Sequence, residues 1–163
     1  MSSEQLSIFS GEADAAKPAG ASSSFSISKT INGSQQQVCD HWLIPVFVGE
    51  WMFGPKVQAE KIIKLDNTVR KKGEFDYRVN RRGKEIIHNG EYLELNIPNK
   101  LAFTWRESTH PKAECNITVQ FAEEANKTKL KLNIRLPAEL SANKEKIKST
   151  WSNRCKALAE KFK

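Results

Sequence analysis

The sequence predicts an α+β fold: a curled antiparallel sheet of about seven strands, wrapped on one long C-terminal helix, with two short helices after the first strand. Three observations carry this. From Phe25 to Leu136, apolar residues recur at every second position in separate runs, the period of half-buried strands. From Leu140 to Phe162 they recur every three, four or seven residues, the period of one helical stripe. Between the first and second strand runs, Pro45 and Gly49 interrupt an otherwise helical stretch.

A chain of 163 residues with 39% hydrophobic and 28% charged residues is long enough for one core and short for two. The densest apolar run, Trp42 to Val48, contains Pro45 and falls far short of the ~20 residues a membrane span needs. The N-terminus carries Glu4, Glu12 and Asp14 with no basic residue before Lys17, unlike a secretory signal. Cys39, Cys115 and Cys155 are an odd, widely spaced set, which argues against a disulfide framework and agrees with a reducing cytoplasm. The Asn-x-Ser/Thr matches at Asn32, Asn116 and Asn126 are then chance occurrences. The net charge of +7 is spread over strands and helix alike, as solubility requires. It also leaves room for an acidic protein partner.

Residues 1–23, rich in Ser, Ala and Gly, read as a flexible leader, and residues 24–163 as the folded domain. Phe25, Ile27 and Ile31 form a first strand, broken at Asn32-Gly33. Ser34 is placed to cap a helix over Gln35 to Leu43, its hydroxyl accepting a first-turn amide. Pro45 begins a second short helix that ends before the turn at Phe53-Gly54-Pro55. Strands follow over Val57 to Leu65 and over Gly73 to Asn80, the latter with Phe75, Tyr77 and Val79 on one face. Asn80-Arg81-Arg82-Gly83 makes a hairpin turn, with Gly83 supplying a positive φ.

The strand opening at Lys84 or Glu85 runs into the clearest hairpin of the chain, Gly90 to Arg106. Period two puts Leu93, Leu95 and Ile97 on its apolar face and Tyr92, Glu94 and Asn96 opposite. After the Pro98-Asn99-Lys100 turn, Leu101, Phe103 and Trp105 line the apolar face, with Arg106 among the residues opposite. Gly90, inside a strand, marks a bend or bulge. His110-Pro111 lies in a loop, and Cys115, Ile117, Val119 and Phe121 pair through an Asn126-Lys127 turn with Leu130, Leu132, Ile134 and Leu136. Each strand then has one apolar and one wet face, and the apolar side needs a cover. Leu140, Ile147, Trp151, Cys155, Leu158 and Phe162 supply it from a helix ~30 Å long, if roughly 20 residues are helical, with seven Lys and Arg on its remaining surface.

This order of elements resembles the helix-grip fold of the START-like (Bet v-like, SRPBCC) superfamily. Trp51, Gly73-Glu74-Phe75, Gly90-Glu91-Tyr92-Leu93-Glu94-Leu95 with Pro98, Leu101-Ala102-Phe103-Thr104-Trp105, and Trp151 narrow the resemblance to its AHSA-type family. That family is named for likeness to the C-terminal domain of the activator of the heat-shock-protein-90 ATPase. The resemblance spans Phe25 to Phe162, with Thr150 where the family commonly has Gly before the final tryptophan. It implies either a hydrophobic ligand cavity between sheet and helix or a chaperone-associated, stress-response interaction module.

Chemistry is sparse. There is no phosphate-cradling glycine loop and no metal-ligand spacing. Cys39 and His41, two apart on a helix, point in different directions. The three cysteines sit on or beside apolar stripes and read as buried structural thiols. Parity with Leu93 puts His88 on the outer face, unless a bulge at Gly90 reverses it. His88 and Glu94 are the sole pair on which a cyclase or hydrolase reading rests. No catalytic residues, metal or cofactor are therefore assigned. The candidate ligand-binding residues are Trp51, Phe53, Phe75, Tyr77, Phe103, Trp105, Phe121 and Trp151, with His88 and Arg106 as orienting groups. Their aromatic character suits a small hydrophobic molecule, a lipid or an aromatic metabolite. Nucleic acid is not expected, because no strand face interleaves basic and aromatic residues.

Overall fold

The computed structural model describes residues 22–54 and 56–163. All but the last two residues of the predicted leader lie outside the described residues; Ser23 opens the first strand. The elements are β1 (Ser23–Ile31), α1 (Gln35–Leu43), α2 (Pro45–Trp51), β2 (Glu60–Asn67), β3 (Glu74–Arg81), β4 (Lys84–Asn96), β5 (Lys100–Glu107), β6 (Glu114–Glu124), β7 (Lys127–Leu136), a 3-10 segment (Ala138–Asn143) and α3 (Lys144–Glu160). The seven strands form one antiparallel sheet in the order β1-β7-β6-β5-β4-β3-β2. Strands β2 to β7 are a simple meander, and β1 closes onto β7. The helices lie against one face, as the predicted helix-grip arrangement requires.

Local chemistry explains the helix boundaries. Ser34 Oγ accepts from the Gln37 amide at 3.1 Å, and the Gln37 side chain accepts from the Ser34 amide at the same distance, a reciprocal capping box. Ile44, extended at φ −87° and ψ 119°, ends α1 and caps α2, and Pro45 begins α2 where its missing amide costs nothing. In β6 and β7 the alternation is almost unbroken: Cys115, Ile117, Val119 and Phe121 are buried opposite Leu130, Leu132, Ile134 and Leu136. Helix α3 has 17 residues, about 26 Å at 1.5 Å each, and the stripe's Leu140 belongs to the 3-10 segment before it.

Two predicted strands differ from expectation. The second starts at Glu60, not Val57, because the amides of Val57, Gln58 and Ala59 all converge on the Gly54 carbonyl in a turn. Its Ile62 and Ile63 are exposed on the sheet edge, beside a bulge between Ile62 and Lys64. The larger correction concerns β4. Tyr92 pairs with Phe103 but Glu94 with Ala102, so Leu93 is an extra residue in the strand. One extra residue reverses the faces beyond it. Ile86, His88 and Tyr92 therefore point into the core, while Leu93 and Ile97 are each 42% exposed and only Leu95 packs partly against it.

The predicted irregularity at Gly90 is present but leaves the faces unchanged. Pairing between β4 and β5 lapses between Asn89 and Tyr92, and the Thr104 hydroxyl accepts the Glu91 amide at 2.9 Å. A Cβ on Gly90 would fall inside the contact radius of the Thr104 carbonyl oxygen and 2.6 Å from the Phe75 ring. Glycine is thus required for close backbone approach. We expect Gly90→Ala to cost on the order of 3 kcal/mol, by overpacking against backbone that cannot yield. Denaturant unfolding read by tryptophan emission checks this, and a change within experimental error would refute the close-approach argument.

Candidate functional site

Most of the predicted aromatic set converges. Phe75 is central, with ring centroids 5.0 Å from Tyr77, 5.8 Å from Phe103 and 5.7 Å from Trp105. Trp105 lies 5.1 Å from Trp151 of α3, and Phe53 lies 6.1 Å from Tyr77. Trp51 joins through Trp42, 4.7 Å away, and donates its indole N–H to the His41 carbonyl at 2.8 Å. Two predicted ligand residues lie elsewhere. Phe121 is buried on β6 outside this ring cluster, and Arg106 is half-exposed on the opposite face of the sheet, paired with Glu114 at 3.1 Å. Trp42 and Tyr92 were not in the predicted set, although Trp42 lies in the densest apolar run; Tyr92 was hidden by the Leu93 bulge.

His88 is fully buried, correcting the expected outer-face position. Its Nε2 faces Glu107 Oε1 at 3.1 Å and its Nδ1 faces the Tyr77 carbonyl at 3.3 Å. A neutral imidazole donates through one nitrogen only, and the shorter contact with a charged acceptor favours Nε2. Burial pushes the His88 pKa below its usual value, against the opposing pull of Glu107. Glu94, the one candidate partner the sequence offered, is an exposed residue paired with Lys100 at 3.4 Å, so that acid/base pair does not assemble.

Instead, His88 belongs to a part-buried charged network that sequence reasoning missed. Arg81 donates through Nε to Glu60 Oε2 at 2.8 Å and through Nη2 to Glu107 Oε1 at 3.1 Å. Thr109 donates to the other Glu107 oxygen. Burial acts to raise the Glu107 pKa, but the donors His88, Thr109 and Arg81 together hold it well below the usual carboxylate range.

Beside this network, Arg154 of α3 is 2% exposed, although its residue type suggested a place on the helix surface. Its Nε donates to the Met52 carbonyl at 3.0 Å, and its guanidinium carbon lies 4.5, 5.4 and 5.5 Å from the ring centres of Trp151, Trp105 and Phe53. Burial draws its pKa down to about 10, still charged at neutral pH. The signal was available: Arg154 follows Trp151 by three and precedes Leu158 by four, on the apolar stripe. The thiols match their structural reading, with burial raising Cys39 and Cys155 to about 12 and Cys115 to about 11.

At this end of the core the packing opens into a cavity of about 220 Å³ between β5, the β5–β6 loop and the first half of α3. Trp105, Trp151, Ala113, Cys115, Leu140 and Ile147 form its apolar walls, and Arg81, Glu107, Lys146 and Arg154 bring charge to it. Of the ten predicted ligand residues, only Trp105 and Trp151 line this space; the other core aromatics close the fold behind it. Arg106 instead borders an open polar recess of about 450 Å³ on the outer face, among Asp66, Glu74, Asp76, Glu91 and Glu114.

The network has a pH signature. His88 has its folded pKa below the unfolded value, so its contribution to stability is complete above about pH 6.5 and lost as pH falls. Glu107, also depressed, contributes fully above about pH 4.5 and loses its contribution only in stronger acid. Between pH 7 and 5.5 we therefore expect His88 to lower stability, read as a lower melting point at the more acid pH. His88→Gln removes this slope; calorimetry at the two pH values checks it, and an equal slope in the variant contradicts it.

Comparison with known proteins places the fold. The structure of protein CV1439 from Chromobacterium violaceum superposes with a TM-score of 0.72 at 18% identity, covering 85% of this chain and 96% of that one. Protein Mll3558 from Rhizobium loti gives 0.70 at 17% identity, covering 86% and 96%. SA2116 from Staphylococcus aureus, described as a protein of unknown function, gives 0.67 at 16% identity, covering 85% and 94%. These likenesses are of fold. No curated protein matches the chain. Residues 32–163 match the family of Activator of Hsp90 ATPase homolog 1-like proteins, the AHSA-type resemblance read from sequence, and the chain belongs to that family.

Proposed function

We propose that this chain is a non-enzymatic binding protein, taking a small and largely apolar molecule into the cavity between the sheet and α3. One observation carries this reading: the aromatic core does not close beside Trp105 and Trp151 but leaves about 220 Å³ of space with apolar walls. Family membership supports it, since the fold is of a ligand-binding or co-chaperone type. The volume limits the occupant. Pockets for drug-sized ligands run to roughly 300–1,000 Å³, whereas a dry cavity of about 150 Å³ takes benzene. A single ring with a short substituent fits better than a lipid chain. The three buried thiols agree with a reducing, cytoplasmic setting.

Titration with benzyl alcohol should produce a saturable change in tryptophan emission, because Trp105 and Trp151 form the wall. Ile147→Phe, which fills the space from α3, should abolish it. No saturable response in the parent protein, or an unchanged one in the variant, rejects the cavity as the binding site.

A second reading rests on a different observation. Lys146, Lys148, Lys156, Lys161 and Lys163 are exposed around and just beyond α3, with Lys161 paired to Glu50, a basic surface suited to an acidic protein partner of the co-chaperone kind. It predicts capture of a polyglutamate-bearing protein that weakens steeply with salt, and capture indifferent to salt counts against it.

A further inference from the structure

We infer that the cavity selects small aromatic carboxylates, with Arg154 at its inner end as the anion-binding group. This rests on the cavity being the binding site proposed above. Arg154 is a buried cation, 2% exposed, with no carboxylate of the described residues within 4.0 Å. Its direct contacts are a neutral carbonyl, Met52 at 3.0 Å, and three aromatic faces, while Glu60 and Glu107 offset its charge only from beyond 4.0 Å. Burying an unpaired charge is unfavourable, and the arrangement makes sense where an anion can reach it. Arg154 lines the cavity, so an entering ligand has that access.

The two acids nearby, buried Glu60 and part-buried Glu107, do not fill the role. Glu60 Oε2 is held by Arg81, at 2.6 Å from Nη2, and its Oε1, buried without a hydrogen-bond partner, lies beyond 4.0 Å of Arg154. Glu107 has Oε1 occupied by Arg81 and His88, and Oε2 by Thr109. Of the described charged residues lining the cavity, three are cationic (Arg81, Lys146 and Arg154) and Glu107 alone is acidic. The exposed Lys146 on the first turn of α3 adds an approach potential for an anion. Ring and carboxylate thus meet different parts of one space: the ring against Trp105, Trp151 and Ile147, the carboxylate against a planar guanidinium whose fork matches its two oxygens.

The decisive comparison is phenylacetate against phenylacetamide, nearly equal in shape and differing in charge. Titration calorimetry should show the acid binding roughly ten- to hundredfold tighter than the amide in the parent protein. In Arg154→Met that ratio should collapse towards one. If Arg154→Met does not fold, Arg154→Lys retains the charge and should lower the ratio roughly threefold or more, with amide binding unchanged. Equal affinities in the parent protein overturn the carboxylate assignment while leaving the cavity as a site. A preserved ratio in either folded variant removes Arg154 as the anchor. Binding of neither compound, together with no response to benzyl alcohol, rejects the cavity reading itself.

Discussion

A seven-stranded sheet is wider than the helix that must cover it. At about 4.8 Å per strand spacing the sheet is roughly 29 Å across, and its strands curl away from a single 17-residue α3. Large side chains have to fill the difference. That constraint explains why Trp42, Trp51, Phe75, Phe103, Trp105 and Trp151 are all buried, and why α1 and α2 are needed as a second cover. It also explains where filling fails. Along α3, Trp151, Cys155 and Leu158 are buried, whereas Ile147, one turn before Trp151, is only half-buried at the edge of the cavity.

Buried charge follows the same geometry. Arg154 occupies a stripe position where a leucine would leave the region apolar. Arg81 and Glu107 stand at the ends of β3 and β5, where the sheet is least covered, and Glu60 opens β2 beside them. Replacing such a network with apolar residues is often neutral or stabilising, so its presence is weak support for a purely structural role. The thiols contrast with it: Cys39, Cys115 and Cys155 are inert because burial disfavours their charged form.

Much of the fold was legible because its signals are local. The Ser34 cap, the Pro45 break, the Gly83 turn and the alternation of β6 and β7 each follow from a few neighbouring residues. The site was less legible because it depends on register. Tyr92 and Leu93 are equally plausible inward residues on paper, and only pairing with Phe103 decides between them. His88 depended on the same choice, and its true partner, Glu107, lies on a neighbouring strand. Arg154 is a different failure: its position was apolar by period, but its residue type suggested the surface.

The extra residue at Leu93 divides β4 into two independently phased halves. Before it, even-numbered positions are interior; after it, Leu95 is the residue that turns inward. Length is therefore as much a coded property of this strand as composition. Inserting one residue anywhere between Glu91 and Glu94 would keep every existing side chain yet shift one half by a position against the other. Either His88 and Tyr92 would then leave the core, or the strand beyond would have to invert, with the Asn96–Asn99 turn displaced. Point changes at Leu93 itself, already facing solvent, carry no such penalty. The strand is sensitive to counting where it is tolerant of spelling.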